Sequence, residues 1–448
     1  MSAFTRNKVG QCRSWLEARA ASSLTRNTAW AMSGYGLRLF IQAVYFIIIA
    51  RCLGPREYGA FIAVTAFASV VSPFVGIGSG NLLIKNVARD HGLFSEYWGN
   101  GLLITFVTGL GLVVVVIALC FLVLPRSIPL LAIVLVCASD LIFVKFVDMS
   151  AWAFQGFEML GKNAQLNILI SLTRMVGIAA LAIAVKHATV TMWSAVYLAG
   201  SILSALVGVV WATWRLGFPR LALHRIRGES AEGFYFSFSL SALSIYNDID
   251  KTMVARLATL EAAGIYAAAY RLIDVAFIPV RSVLIAAYPR FFRAGVDGLH
   301  ASLHYGHRLL LRVLPYSLLT FAALMLGAPL VPHILGHEYA RVTEALRWLA
   351  LLPLLKTMHY FVADSLTGAG YQGLRTAMQA GIAGLNVLVN FWIIPAYGWR
   401  GAAWSSLASD GLLAAGLWMI ALRLTRKACV VQPQSVNAAM DLAEETVL

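Results

Sequence analysis

Charge is what this sequence has least of. Asp, Glu, Lys and Arg together supply 12% of its 448 residues, whereas a soluble domain carries about a quarter. That scarcity, with 60% hydrophobic residues and a mean hydropathy of +0.75, excludes a soluble globular domain. Five cysteines, Cys12, Cys52, Cys120, Cys137 and Cys429, show no CxxC spacing, so neither a metal site nor a disulfide framework is expected. The first 27 residues carry Arg6, Lys8, Arg13, Arg19 and Arg26 but no apolar stretch. A cleaved signal peptide is thereby excluded, and a basic cytoplasmic tail is expected. Short alternating strands of a barrel are missing. The formal charge of +14 is spread over loops and helix ends, not gathered into one stripe with interleaved aromatics, so nucleic acid is not an expected partner.

Long apolar runs are abundant. An α-helix needs about 20 apolar residues to cross roughly 30 Å of hydrocarbon. Runs of that length fall near Thr28–Leu53, Tyr58–Gly80, Gly99–Leu124, Ser127–Gln155, Asn163–Val185 and Thr189–Trp214. After a basic stretch come Phe234–Leu257, Ala262–Tyr288, Leu309–Val331, Thr343–Gly368, Leu374–Pro395 and Trp399–Leu424. The expected fold is an all-α polytopic membrane protein of about 12 transmembrane helices. Its expected order is a tail (1–27), an N-lobe (28–214), a basic linker (215–233), a C-lobe (234–424) and a second tail (425–448).

Lys and Arg in short loops set orientation. The N-terminal tail, Lys85 and Arg89, Lys162, the linker with Arg215, Arg220, Arg225 and Arg227, the loop with Arg290, Arg293 and Arg308, then Arg375, and finally Arg423, Arg426 and Lys427 fall on one side. Both termini are therefore expected in the cytoplasm. An internal repeat is also legible at one constant offset. Ala50-Arg51 matches Ala255-Arg256, Gly59 matches Gly264, Phe61 matches Tyr266 and Ala63 matches Ala268. Copies separated by six spans share one orientation, which makes the repeat parallel, about an axis along the membrane normal.

The run Ala50-Arg51-Cys52-Leu53-Gly54-Pro55-Arg56-Glu57-Tyr58-Gly59-Ala60-Phe61 resembles the signature of Wzx-type polysaccharide flippases, within the multidrug/oligosaccharidyl-lipid/polysaccharide exporter superfamily. The likeness continues at Asp250-Lys251, Ala263 to Arg271, Pro289-Arg290-Phe291 and Gly398-Trp399-Arg400-Gly401. It implies two six-helix lobes around a central cavity, alternating access, and an undecaprenyl-diphosphate-linked glycan as cargo in a bacterial inner membrane. A polysaccharide polymerase and its chain-length machinery are implied partners. In physical terms the motif asks only for a tight turn between two spans, which Gly54 and Gly59 permit and Pro55 enforces.

A charge near the bilayer centre costs about 2.5–3.5 kcal/mol on insertion scales, so intramembrane charges face protein or water. Arg38, Asp140, Lys145, Asp148, Arg174, Asp248, Asp250, Lys251, Arg271, Asp274, Arg281, Lys356, Asp364 and Asp410 all lie within the expected spans. Many follow helical stripes: Arg38, Gln42 and Tyr45; Lys145, Asp148, Trp152 and Gln155; Asn163, Asn167 and Arg174; Arg271, Asp274 and Arg281; Lys356, Tyr360, Asp364 and Thr367; Gln379, Asn386 and Asn390. Such stripes describe a wet cavity. Lys145 with Asp148, Asp248 with Lys251, and Arg271 with Asp274 are also i, i+3 neighbours able to neutralise one another. Arg38 and Arg174 have no acid within a turn, and an arginine fork suits pyrophosphate. The candidate substrate-binding cations are therefore Arg38, Lys145, Arg174, Arg271, Arg281 and Lys356. Asp148, Asp248, Asp250, Asp274 and Asp364 are candidates for coupling H+ or Na+, or for serving as counter-ions. No cofactor is expected.

Other signals are weaker. His300, His304 and His307 suit an interfacial helix better than a metal site. His333, His337 and Glu338 are interrupted by Gly336 and do not form a zincin helix. Gly76, Gly78 and Gly80 lack the Lys-Ser/Thr of a P-loop. Trp98, Trp193, Trp214 and Trp399, near span ends, are expected as interface anchors. Three other readings stand beside the flippase. A drug/cation antiporter would want an anionic cavity, a peptidoglycan-precursor flippase two further C-terminal spans, and a membrane glycan polymerase a long outer loop.

Overall fold

The computed structural model describes the backbone of residues 3–222, 234, 237, 241 and 244–445, and the side chains of those residues from 36 to 426. All regular structure among them is helical. The elements of the first unit are α1 (Ala3–Val71), α2 (Ser79–Val87), α3 (Phe94–Val123), α4 (Leu130–Ala138), α5 (Val144–Gly156), α6 (Leu160–Ala184) and α7 (Val190–Leu216). Those of the second are α8 (residues 244–257), α9 (Leu260–Val296), α10 (Leu299–Gly327), α11 (Val331–Leu335), α12 (Val342–Leu349), α13 (Leu352–Gly368), α14 (Gln372–Tyr397) and α15 (Trp399–Glu445).

Among the described residues, nine stretches are long and apolar enough to cross a membrane. The first, Gly36–Val87, contains the second expected span and the first from Gly36 onward. They are separated where α1 breaks at Gly54, whose φ of 67° and ψ of 172° belong to a region that only glycine enters cheaply. Pro55 then starts the next arm with φ preset. Glu57, inside the same motif, accepts the backbone N–H of Val190 at 2.7 Å, so the turn also fixes the start of α7. The expected span Thr343–Gly368 is divided into α12 and α13. The chain is a polytopic α-helical membrane protein.

The chain separates into two compact units, Met1–Ser241 and Ala242–Leu448. The stretch read as the start of a linker is held to the first unit: Arg220 N–H donates to Ser95 O at 2.8 Å, and the Asn100 amide both donates to and accepts from the Ala222 backbone at 2.9 Å. Gly99 makes this possible, since a Cβ there would stand 2.3 Å from Arg220 O. In the first unit an apolar core forms around Trp98, Phe94, Phe154 and Leu166. Short hydroxyl bridges join its helices, Ser139 to Ser201 at 2.8 Å and Thr173 to Ser204 at 3.1 Å, as small polar residues do between membrane helices. In the second unit Ser317 meets Thr357 at 2.8 Å. There α9 and α13 pack so closely that a Cβ on Gly295 would lie 2.0 Å from Gly368 O.

Two expectations change. Trp98 and Trp193 are both 0% exposed, and Trp98 donates to Thr213 Oγ1 at 3.1 Å. They are core residues, because a position at a span end does not determine which face of the helix it occupies. Trp399 is likewise buried, whereas Trp214 is exposed. Asn386 and Asn390, read as lining a wet cavity, instead join α14 to α15: Asn386 donates to Ser409 Oγ at 2.9 Å, and Asn390 accepts from Ser405 Oγ at 2.5 Å.

Candidate functional site

In the first unit the charged groups gather around a defect in helical winding. Between α4 and α5, residues Ser139–Phe143 form a π-helical turn, a feature often found where function needs a side chain re-aimed. It carries Asp140, which accepts from the Tyr197 hydroxyl of α7 at 2.7 Å. Arg174 of α6 comes within 3.7 Å of the same carboxylate oxygen and lies over the Tyr197 ring, 4.3 Å from its centroid. Sequence spacing gave Arg174 no acid; the structure supplies one from another helix. The contact is loose: the Arg174 side chain is 23% accessible, and its Nε has no hydrogen-bond partner among the described residues. Lys145 and Asp148 pair at 3.3 Å, one turn apart on α5. Arg38, on the first arm of α1, is half-buried. Asn163 and Asn167 extend the polar face of α6, linked to each other at 2.8 Å and to Gln155 at 3.2 Å.

In the second unit the acids are the hubs. Asp250, 5% exposed, accepts from Tyr266 Oη at 2.5 Å, and Tyr266 also meets Ser406 Oγ at 3.0 Å. Lys251 is held by Asp248 at 2.5 Å. The ammonium groups of Lys251 and Lys356 lie 5.1 and 5.4 Å from the centroid of the Tyr270 ring, an arrangement in which the ring quadrupole offsets part of their desolvation. Lys356 is 7% exposed. Asp410 accepts from the Tyr246 hydroxyl and, at 3.0 Å, faces Nε2 of His359. Asp364 is bonded by Arg375 at 2.9 Å, and Arg375 also donates to Thr367. Arg271 and Asp274 are half-buried on α9, and Arg281 is exposed. His300, His304 and His307 lie on α10, with the His307 ring against Trp418. No group of His, Cys, Asp and Glu able to hold a metal occurs among the described residues.

Sequence reasoning passed over Tyr197, Tyr246, Tyr266, Tyr270 and His359, and read Arg375 only as a topological charge. For Tyr266 a signal existed, since the repeat aligns it with Phe61, whose ring packs edge-on against Tyr197 in the first unit. For His359 the signal was its position one turn from Lys356.

Over residues 24–294 the sequence matches the family described as polysaccharide biosynthesis protein. No match is found among curated proteins. Solved structures do match. An inward-facing multidrug resistance MATE family transporter of the MOP superfamily superposes with a TM-score of 0.72 at 14% identity, covering 89% of this chain and 98% of that one. An outward-facing MATE transporter gives 0.57 at 14%, covering 89% and 96%. A MOP superfamily transporter from Pyrococcus furiosus, described as having a binding pocket of reversed polarity, gives 0.58 at 15%, covering 90% and 96%. At these identities the likeness carries the fold. With the family match spanning more than half of its length, the chain belongs to the polysaccharide biosynthesis protein family.

Proposed function

We propose that the chain is a flippase. It carries an undecaprenyl-diphosphate-linked oligosaccharide from the cytoplasmic to the outer leaflet of a bacterial inner membrane, by alternating access of its two lobes. The observation that carries this reading is Arg174: an intramembrane guanidinium stacked on Tyr197, only loosely engaged by Asp140, with donors to spare. A guanidinium offers five N–H groups in a planar fork, and a pyrophosphate can occupy those that Asp140 leaves open. Lys145 and Arg38 stand in the same unit, giving three cations against Asp140 and Asp148. The lipid tail remains in the bilayer while the charged head crosses. Coupling is assigned to H+ or Na+ at the second-unit acids. Both termini are assigned to the cytoplasm, and the delivered product to a polymerase acting in the outer leaflet.

The test is the leaflet of the trapped intermediate. In a strain lacking the protein, lipid-linked repeat units should accumulate facing the cytoplasm, and Arg174→Ala expressed at normal levels should reproduce that accumulation. Accumulation in the outer leaflet would instead identify a glycan polymerase, and undiminished export by Arg174→Ala would remove the anion grip.

A further inference from the structure

The second unit holds an imidazole whose ring is sealed from solvent. His359 on α13 is 0% exposed. Its Nε2 lies 3.0 Å from Asp410 Oδ1, while Nδ1 is buried with no hydrogen-bond partner among the described residues. The same Asp410 oxygen accepts from the Tyr246 hydroxyl, so three helices, α8, α13 and α15, meet at one carboxylate. Tyr360 stacks on the imidazole, with ring centroids 4.6 Å apart. Titratable and charged groups surround the cluster on each packed element. From α13 come Lys356, Tyr360 and Asp364, from α9 Tyr270, and from α8 Tyr246. Arg375 of α14 reaches the cluster's edge through Asp364. Opposite, α10 contributes the Ser317 hydroxyl, bonded to Thr357.

A neutral imidazole has one N–H and one lone pair. With Nε2 donating to Asp410, Nδ1 is a lone pair with no partner among the described residues, open to a proton. A hard metal cation would need several oxygen ligands. Here one Asp410 oxygen is already taken by two donors, and the Lys356 ammonium stands close by. A proton needs a single lone pair.

We propose that His359, Asp410 and Tyr246 form a proton-binding site whose loading drives the conformational cycle. This inference rests on the flippase reading for the meaning of that cycle. The proton passes from hydronium to His359 Nδ1, leaving water, and returns to water on release. In the arrangement seen here the added N–H is buried with no acceptor among the described residues. A conformation that gives Nδ1 an acceptor therefore binds the proton more tightly, and loading shifts the population towards it.

The experiment is pH-difference infrared spectroscopy of the full-length protein in lipid nanodiscs without substrate, with thermal melting as a folding check. Wild type should show a coupled imidazole and carboxylate signal on stepping pH through the histidine range. That signal should vanish in His359→Gln and Asp410→Asn and persist in Asp364→Asn. Tyr246→Phe keeps the ring and loses one hydroxyl; it should retain the signal at a displaced midpoint, and it decides the matter if the other variants melt early. An unchanged signal in His359→Gln, or an unmoved midpoint in Tyr246→Phe, overturns the proton site. Because no substrate is present, that failure leaves the flippase reading intact, whereas the leaflet assay can fail with the titration unchanged.

Discussion

Both units place a tyrosine hydroxyl on an interior carboxylate, Tyr197 on Asp140 in the first and Tyr266 on Asp250 in the second, but the company each carboxylate keeps differs. Asp140 is shared between a tyrosine and an arginine. In the second unit Asp250 and Asp410 are bonded by tyrosine and histidine, while Lys251 and Lys356 rest on the Tyr270 ring. Asp140 is thus shared with a loosely held cation, whereas Asp250 and Asp410 are held by hydroxyl and imidazole groups. On the reading proposed above, the first unit would recognise a phosphate and the second would respond to a proton.

The largest test of this contrast removes the acid that steadies Arg174. Asp140→Ala leaves an interior cation without its counter-charge, at a cost of about 3 kcal/mol, the low end for such a loss because the pair is partly accessible. Thermal unfolding of the purified protein should show it. Replacing both partners, Asp140→Leu with Arg174→Met, should recover most of that stability but not export. If the double variant exports normally, Arg174 is a structural ion-pair member and the contrast fails. Arg174→Lys keeps the charge but loses the planar fork and the stacking on Tyr197. Export should fall roughly tenfold, equivalent to about 1.4 kcal/mol, at unchanged protein level.

The two units also make their repeated interhelical turn by different devices. The first uses Gly54 at positive φ; at the aligned position the second uses Thr259, whose hydroxyl accepts the Ala262 N–H at 3.0 Å. Gly54→Ala should cost about 1–3 kcal/mol in backbone strain, and Thr259→Ala about 1 kcal/mol as a lost N-cap. Equal costs would indicate that the turns are held by packing against neighbouring helices.

What was legible in the sequence was local. Apolar runs long enough to span, the Gly54-Pro55 break, and ion pairs one turn apart such as Lys145 with Asp148 and Asp248 with Lys251 all follow from spacing on a single helix. Contacts between helices were not legible. Asp140 finds Arg174 and Tyr197, and Asp410 finds His359 and Tyr246, through crossings that a one-dimensional pattern does not encode. The π-helical turn at Asp140 leaves no composition signal either. Trp98 and Trp193 misled for the same reason, since a helix end has a lipid face and a buried face and the residue type suits both.

The smallest expected effect concerns Lys145 and Asp148. Their side chains are 18% and 35% accessible, and partly exposed pairs of this kind contribute about 0–1 kcal/mol. Lys145→Gln or Asp148→Asn should therefore shift the unfolding midpoint by no more than the mutational background. Their effects on export should nonetheless be opposite in sign. On the proposed reading, removing Lys145 would cut the positive field drawing a diphosphate towards Arg174, whereas neutralising Asp148 would raise it. Measured at matched protein levels, equal losses in both variants would mean that the pair acts as a unit within α5, and that the first unit's excess of cations plays no part in recognition.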